Sequence, residues 1–200
     1  MRGCAVIAVA ALAGCTTATP HAPVVTPPSA PAATPAPYAA SSIKLANAGF
    51  ESTVPGRRNN DPDGWFSHQH AGEPSYKFAV DTADPHGGAR SLRIDNTGPE
   101  PYGAIAQSID AKPYRGRTVQ LSGWLRTRDS ANATLSLIVL GNGVQLANNF
   151  MADAPVKGTT AWKRYSISAP VAPNAEFVEI GAMMQGKGSL WLDDVELSVK

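Results

Sequence analysis

Beyond residue 42 the chain is a succession of short apolar and polar alternations broken by turn residues, and no apolar 3.6-residue period holds over ten residues or more. The two-residue period predicts strands at 43–47, 76–81, 91–96, 104–109, 118–127, 134–140, 144–150, 162–168, 177–184 and 189–199. Gly141-Asn142-Gly143 falls between two of them and reads as a hairpin turn, because Gly and Asn tolerate positive φ. Many short strands at regular spacing predict an all-β domain, an antiparallel β-sandwich, over residues 43–200.

Parity within the strands separates an inner from an outer face. Val119, Leu121 and Leu125 share one side, and Gln120, Ser122, Trp124 and Arg126 the other. Val178, Ile180, Ala182 and Met184 likewise oppose Phe177, Glu179, Met183 and Gln185. The last strand breaks its own pattern. Trp191, Val195, Leu197 and Val199 have the parity of a buried face, and Asp193 shares it. A carboxylate there needs a cation or several donors to offset its desolvation, so either the strand is bulged at that point or something positive lies against it.

The first 42 residues follow different rules. Arg2 precedes an apolar run, 5–13, of signal-peptide length, and the run ends in Leu12-Ala13-Gly14-Cys15, which resembles the lipobox of bacterial lipoproteins. The resemblance implies removal of residues 1–14, lipidation of Cys15 and attachment to a membrane; Thr16 after the cysteine implies the outer membrane of a bacterial envelope. Acyl chains contribute about 0.8 kcal/mol per buried CH₂, so several of them hold a protein on a bilayer without a spanning helix. Residues 15–42, rich in Pro, Ala and Thr, cannot bury a core and read as an extended tether. Cys4 lies in the removed segment, which leaves the domain without a disulfide.

Charge narrows the partners. Lys and Arg total 17 against 16 Asp and Glu, a formal charge of +1, and no basic stripe exists to neutralise a row of phosphates, so nucleic acid is excluded as a partner. The chain has no Gly-x-Ser-x-Gly elbow, His-Glu-x-x-His pair or phosphate loop. Glu100 with Glu51, Glu73, Glu179 or Glu196 would offer the carboxylate pair of a glycosidase, but spacing selects none of them, and the chain reads as a non-enzyme. Asn59 to Gly64 imitates the start of a calcium loop whose twelfth position is His70 instead of Glu, and reads as a solvated turn. His68-Gln69-His70 lacks a third metal ligand, and His86 before two glycines reads as a turn cap.

Four motifs carry a resemblance. Asn47-Ala48-Gly49-Phe50-Glu51, Pro62-Asp63-Gly64-Trp65, His86-Gly87-Gly88-Ala89-Arg90-Ser91-Leu92 and Trp191-Leu192-Asp193-Asp194-Val195 occur in an order similar to that of galactose-binding-like jelly rolls, the carbohydrate-binding modules of the family 4 and 22 kind. Tyr114-Arg115-Gly116-Arg117, Leu121 to Thr127 and Gly158 to Lys163 resemble a bacterial subset that accompanies secreted enzymes. The resemblance implies a structural calcium held by Glu51 and Asp193 with main-chain carbonyls near Ala48 and Ala89. Without a metal, Glu51 would pair with Arg90 or a backbone amide, and Asp193 would accept strand-end hydrogen bonds. It also implies a glycan ligand. Sugar rings stack on aromatic faces while amides and charges read the hydroxyls, which makes Trp124, Arg126, Tyr102, Gln185 and Glu179 the expected contacts. The other reading of these residues packs Trp124 under loops and pairs Arg126 with Glu179, leaving an envelope protein that is structural or binds another protein.

Replacing Cys15 by Ser is expected to abolish incorporation of labelled fatty acid and to move the protein from the membrane to the soluble fraction; unchanged labelling would remove the anchor.

Overall fold

The computed structural model describes residues 41–53 and 61–200, which belong to one compact unit. Residues 1–40, and with them the signal peptide, Cys15 and nearly all of the tether, lie outside the described residues. Among the described residues there is no α-helix, only a 3-10 turn at Lys112–Tyr114, and no helix long and apolar enough to cross a membrane.

Ten antiparallel strands follow in order: β1 (Ser41–Ile43), β2 (Phe66–Gln69), β3 (Tyr76–Asp81), β4 (Ser91–Asn96), β5 (Tyr102–Asp110), β6 (Thr118–Gly141), β7 (Val144–Asn149), β8 (Val156–Pro170), β9 (Phe177–Gln185) and β10 (Ser189–Val199). β1 begins at Ser41, two residues inside the stretch read as tether, and pairs with the end of β10. β2 was not anticipated: it is four residues long and too polar to show an apolar period.

The two stretches expected as separate strands at 118–127 and 134–140 are one 24-residue strand, β6. Its first half lies between β10 and β8, and its second half between β9 and β7. Register shifts against β8 between Leu125 and Ala133, with Asp129 at a φ of 50°, mark where it passes from one layer to the other. The first layer is therefore β3-β4-β10-β6-β8 with β1 beside the end of β10, and the second is β2-β5-β9-β6-β7. The β6–β7 hairpin turns on Asn142 (φ 52°) and Gly143 (φ 72°), the two positive values that a type I′ turn demands.

The inner faces meet in one core. Leu121, Leu125, Leu190, Leu192, Leu92 and Ile94 of the first layer and Ile105, Leu135, Leu137, Val178 and Ile180 of the second are inaccessible to solvent. Gly123 lies between the layers: a Cβ there would stand 3.3 Å from Leu192 Cδ1 and 3.5 Å from Leu135 Cδ2. Burial follows the expected parity in β6 and β9 but not in β10. There Leu190 and Leu192 face inward, one residue of β6 then opposes two of β10 between Asp193 and Glu196, and Val195, Leu197 and Val199 face inward beyond this bulge. The extra residue, Asp194, has a φ of 44°. Trp191 and Asp193 thus point away from the core, opposite to the inward direction their shared parity with Val195 suggests.

Candidate functional site

The two outer faces differ in chemistry. On the first layer, Trp191 is only 5% exposed although it points outward, because the guanidinium carbons of Arg126, Arg93 and Arg128 lie 4.3, 5.0 and 5.5 Å from its ring centre. Its Nε1–H donates to Asp81 Oδ2 at 2.7 Å. Arg126 also faces the ring of Trp162 at 5.2 Å and forms an ion pair with Asp84, and Trp162 Nε1–H donates to the Asp84 carbonyl. Trp124 carries the imidazole of His86 stacked on it, ring centres 3.7 Å apart, and His86 Nδ1 bonds Asp194 Oδ2 at 2.7 Å. The loop between β3 and β4 is thereby latched onto the sheet. Burial raises the Asp81 carboxyl, but the Trp191 and Ala83 donors and the charges of Arg93 and Arg126 outweigh it and hold it below its usual value. Its stabilising contribution is present above the ordinary carboxylate range and is lost as pH falls through the lowered value.

Asp193 completes this latch. It is inaccessible to solvent, and its partners are main-chain amides: His86 and Gly87 donate to Oδ2 at 2.9 and 3.1 Å, and Asp194 donates to Oδ1 at 2.8 Å. Desolvation raises its pKa, the amide bonds oppose the rise, and the charge of Asp194 adds to it. A raised carboxyl contributes stability at low pH that is lost as pH climbs through the folded-state value. Glu51 Oε1 accepts from the amides of Ala89 (2.9 Å) and Arg90 (3.1 Å), the Arg90 guanidinium donates to the Glu51 carbonyl, and the Ala48 carbonyl accepts from Val195 (3.0 Å). The four residues expected around calcium are thus drawn into one region joining the start of the domain to β10. Gly49 marks the approach: a Cβ on it would stand 3.6 Å from Asp194 Oδ1 and 3.8 Å from Asp193 Oδ1. The donor chemistry suits a hard cation, but both Asp193 oxygens, Glu51 Oε1 and the Ala48 carbonyl already accept from amides, and among the described residues no three His, Cys, Asp or Glu side chains converge as metal ligands do.

The second layer is open. Its outward residues form rows across the strands: Tyr102, Gln185 and Asn132; then His68, Ala104, Met183 and Thr134; then Phe66, Ala106, Gly181 and Ser136; then Ser108, Glu179 and Ile138. The third row is floored by small side chains. At Gly181 a Cβ would overlap the Ile105 carbonyl oxygen at 1.9 Å, so no other residue fits. A cleft of 490 Å³ lies over these rows, walled beyond β7 by Phe150 and Pro155. Tyr102 is half-buried, with His68 and His70 edge-on at 6.3 and 5.8 Å, and Phe66, 40% exposed, continues this edge beside His68. Asn132 Nδ2 donates to Gln185 Oε1 at 2.8 Å, while Asn132 Oδ1 and Thr134 Oγ1 are buried with no partner among the described residues.

Of the five expected ligand contacts, then, Tyr102, Gln185 and Glu179 share this cleft, and Trp124 and Arg126 lie on the other layer. Nor does Arg126 pair with Glu179; its carboxylate is Asp84. Trp124 and Asn132 have the same outward parity on the same strand, but β6 has changed layer between them. His68, Asn132, Thr134 and Ser136 were not anticipated as site residues, although the alternation of Asn132, Thr134 and Ser136 with Ala133, Leu135 and Leu137 is a legible signal. Of the turn read as solvated, Asn59 and Asn60 lie outside the described residues, whereas Asp61 is buried and accepts from the Ser67 amide at 3.0 Å. His70 and Glu100 bond each other at 3.1 Å. His86 is a stacking residue rather than a simple turn cap.

No protein-family model and no curated protein is detectably similar in sequence to the chain. Solved structures are similar in fold. The CBM22-1 xylan-binding domain of Paenibacillus barcinonensis Xyn10C has a TM-score of 0.54 at 14% identity over 76% of this chain and 91% of its own. A CBM4 module has a TM-score of 0.54 at 20% identity, covering 78% of this chain and all 100% of that one. A Fischerella cyclase bound to an indole compound has a TM-score of 0.57 at 15% identity, covering 81% and 98%. Tailspike protein 4 of bacteriophage CBA120 has a TM-score of 0.57 at 16% identity over 78% of this chain, which spans only 21% of that longer protein. The domain is a jelly-roll sandwich like that of carbohydrate-binding modules.

Replacing Asp193 by Ala would leave three amides of the latch without an acceptor. A loss of about 3 kcal/mol is expected, read as a lower denaturant midpoint at unchanged slope; an unshifted midpoint would show that the latch contributes nothing.

Proposed function

We propose that the protein is a non-catalytic, lipid-anchored protein of the bacterial envelope whose jelly-roll domain binds a cell-wall or envelope glycan in the cleft of the second layer. The observation that carries this reading is the cleft itself: an aromatic face at Tyr102 beside polar atoms that the fold leaves unpaired. A buried hydroxyl and amide oxygen without partners cost free energy unless a ligand or water satisfies them, and sugar hydroxyls are suitable partners. The likeness to a xylan-binding module supports the class of ligand without naming the sugar. Trp124 and Arg126, engaged with His86 and Asp84, take no part in this site. Lipidation at Cys15 rests on the lipobox alone, and the outer-membrane location on Thr16 after it.

The test is an affinity screen of the purified protein against xylan, β-glucan and isolated peptidoglycan. Tyr102→Ala is expected to weaken binding about tenfold through loss of ring stacking, with Trp124→Ala unchanged. The opposite result would move the site to the first layer, and no binding to any glycan would favour a protein-interaction or structural role.

We further propose that calcium, supplied when bound as a tie between Glu51 and Asp193 with the Ala48 and Ala89 carbonyls, clasps the first loop to β10. The gathering of Glu51, Asp193, Ala48 and Ala89 in the one region that joins the start of the domain to β10 is the observation that supports it, and the cation would have to displace some of the amide bonds these oxygens now accept. Chelation is then expected to lower the melting temperature, restored by added calcium and not by magnesium, which demands stricter octahedral geometry. An unchanged midpoint with no metal by elemental analysis would reject the clasp.

A further inference from the structure

Among the described residues, the cleft carries one charge of fixed sign and no opposite charge to balance it. Glu179, in the middle of β9, is half-buried with Ser108 on one side and Ile138 on the other, and its carboxylate has no hydrogen bond or ion pair among the described residues. Among the described residues, no Lys or Arg lines the cleft. Several acids outside the cleft are engaged: Asp193 and Glu51 with amides, Asp81 with Trp191, Asp84 with Arg126, Glu100 with His70 and Ala71. A second feature points the same way. Asn132 gives its N–H to Gln185 and keeps its buried carbonyl oxygen free, so this unpaired cleft atom, like the Glu179 carboxylate, is an acceptor. Thr134, 3% exposed, presents a hydroxyl able to accept as well as donate.

The cleft also holds groups able to donate, Tyr102, Ser136, Gln145 and Gln185, but its buried unpaired acceptor and its carboxylate without a cation favour a ligand that brings O–H and N–H groups and positive charge. The geometry points to a glycan of amino sugars whose amines are not acylated, with a ring ammonium on Glu179 and hydroxyls on Asn132 and Thr134. This rests on the glycan reading of the same cleft and names the class of sugar. An ammonium gives Glu179 a charge-assisted bond, roughly twice as strong as the neutral one a hydroxyl can make. N-acetylation removes that charge, and a uronic acid would bring a second carboxylate against the first.

The experiment titrates the purified protein, at slightly acidic pH where the amines are protonated, with glucosamine, N-acetylglucosamine and galacturonic acid oligomers of equal length. The glucosamine oligomer is expected to bind at least about tenfold more tightly than its acetylated counterpart and the galacturonic acid oligomer most weakly. Glu179→Gln, which keeps the shape and removes the charge, is expected to close the gap between the first two to about twofold. Equal affinity in the natural protein, or a gap that survives Glu179→Gln, overturns the amino-sugar inference. If the acetylated oligomer or a neutral polysaccharide still binds in a Tyr102-dependent way, the glycan reading stands without it. If no oligomer and no polysaccharide binds, both fall together.

Discussion

A strand that belongs to two sheets constrains everything around it. Because β6 runs unbroken from Thr118 to Gly141, the two layers cannot slide or separate without disrupting one backbone ladder. The register that pairs Leu125 with Leu192 in one layer therefore fixes, along the same chain, the register that pairs Leu135 with Ala182 in the other. Side chains on the outer faces inherit that rigidity. Tyr102, Gln185 and Asn132 are aligned across three strands by hydrogen-bonded ladders and not by loops, which suits a site that must meet a ligand without reorganising.

The two outer faces use their polar groups differently. On the first, arginines, indoles and carboxylates are spent on one another, and the bulge at Asp194 turns Asp193 towards the amides of the β3–β4 loop. On the second, the fold leaves polar atoms unsatisfied. Interiors seldom tolerate this, since a buried group without a partner forfeits its hydration for nothing in return. Unpaired buried atoms also occur on the first layer, at Ser91 Oγ and Arg126 Nε; what sets the second face apart is that its unpaired Asn132 and Thr134 atoms belong to residues lining an open cleft.

Much of this was legible before any coordinates. The ranges of β3, β4 and β10 were readable residue for residue, because alternation in a half-buried strand is a direct consequence of its two-residue period. So was the inward or outward sense of β6 and β9. Parity, however, carries no information about which layer a strand is in, so it could not tell that Trp124 and Glu179 look out from opposite sides of the sandwich. Nor could it see that one extra residue in β10 reverses the sense of Trp191 and Asp193 relative to Val195; the anomaly of an inward acid signalled a bulge as one of two answers. β2 escaped notice because four residues at an edge, half of them exposed, leave no apolar trace.

The latch on the first layer has a spectroscopic corollary. All four indoles of the chain lie away from the cleft: Trp65 is buried against Phe50, and Trp124, Trp162 and Trp191 are held among His86 and the arginines. Tryptophan emission therefore reports on the closure of the domain and is blind to what occupies the cleft, where the chromophore is the phenol of Tyr102. A titration followed by tryptophan emission alone would see the sandwich and miss anything bound in the cleft.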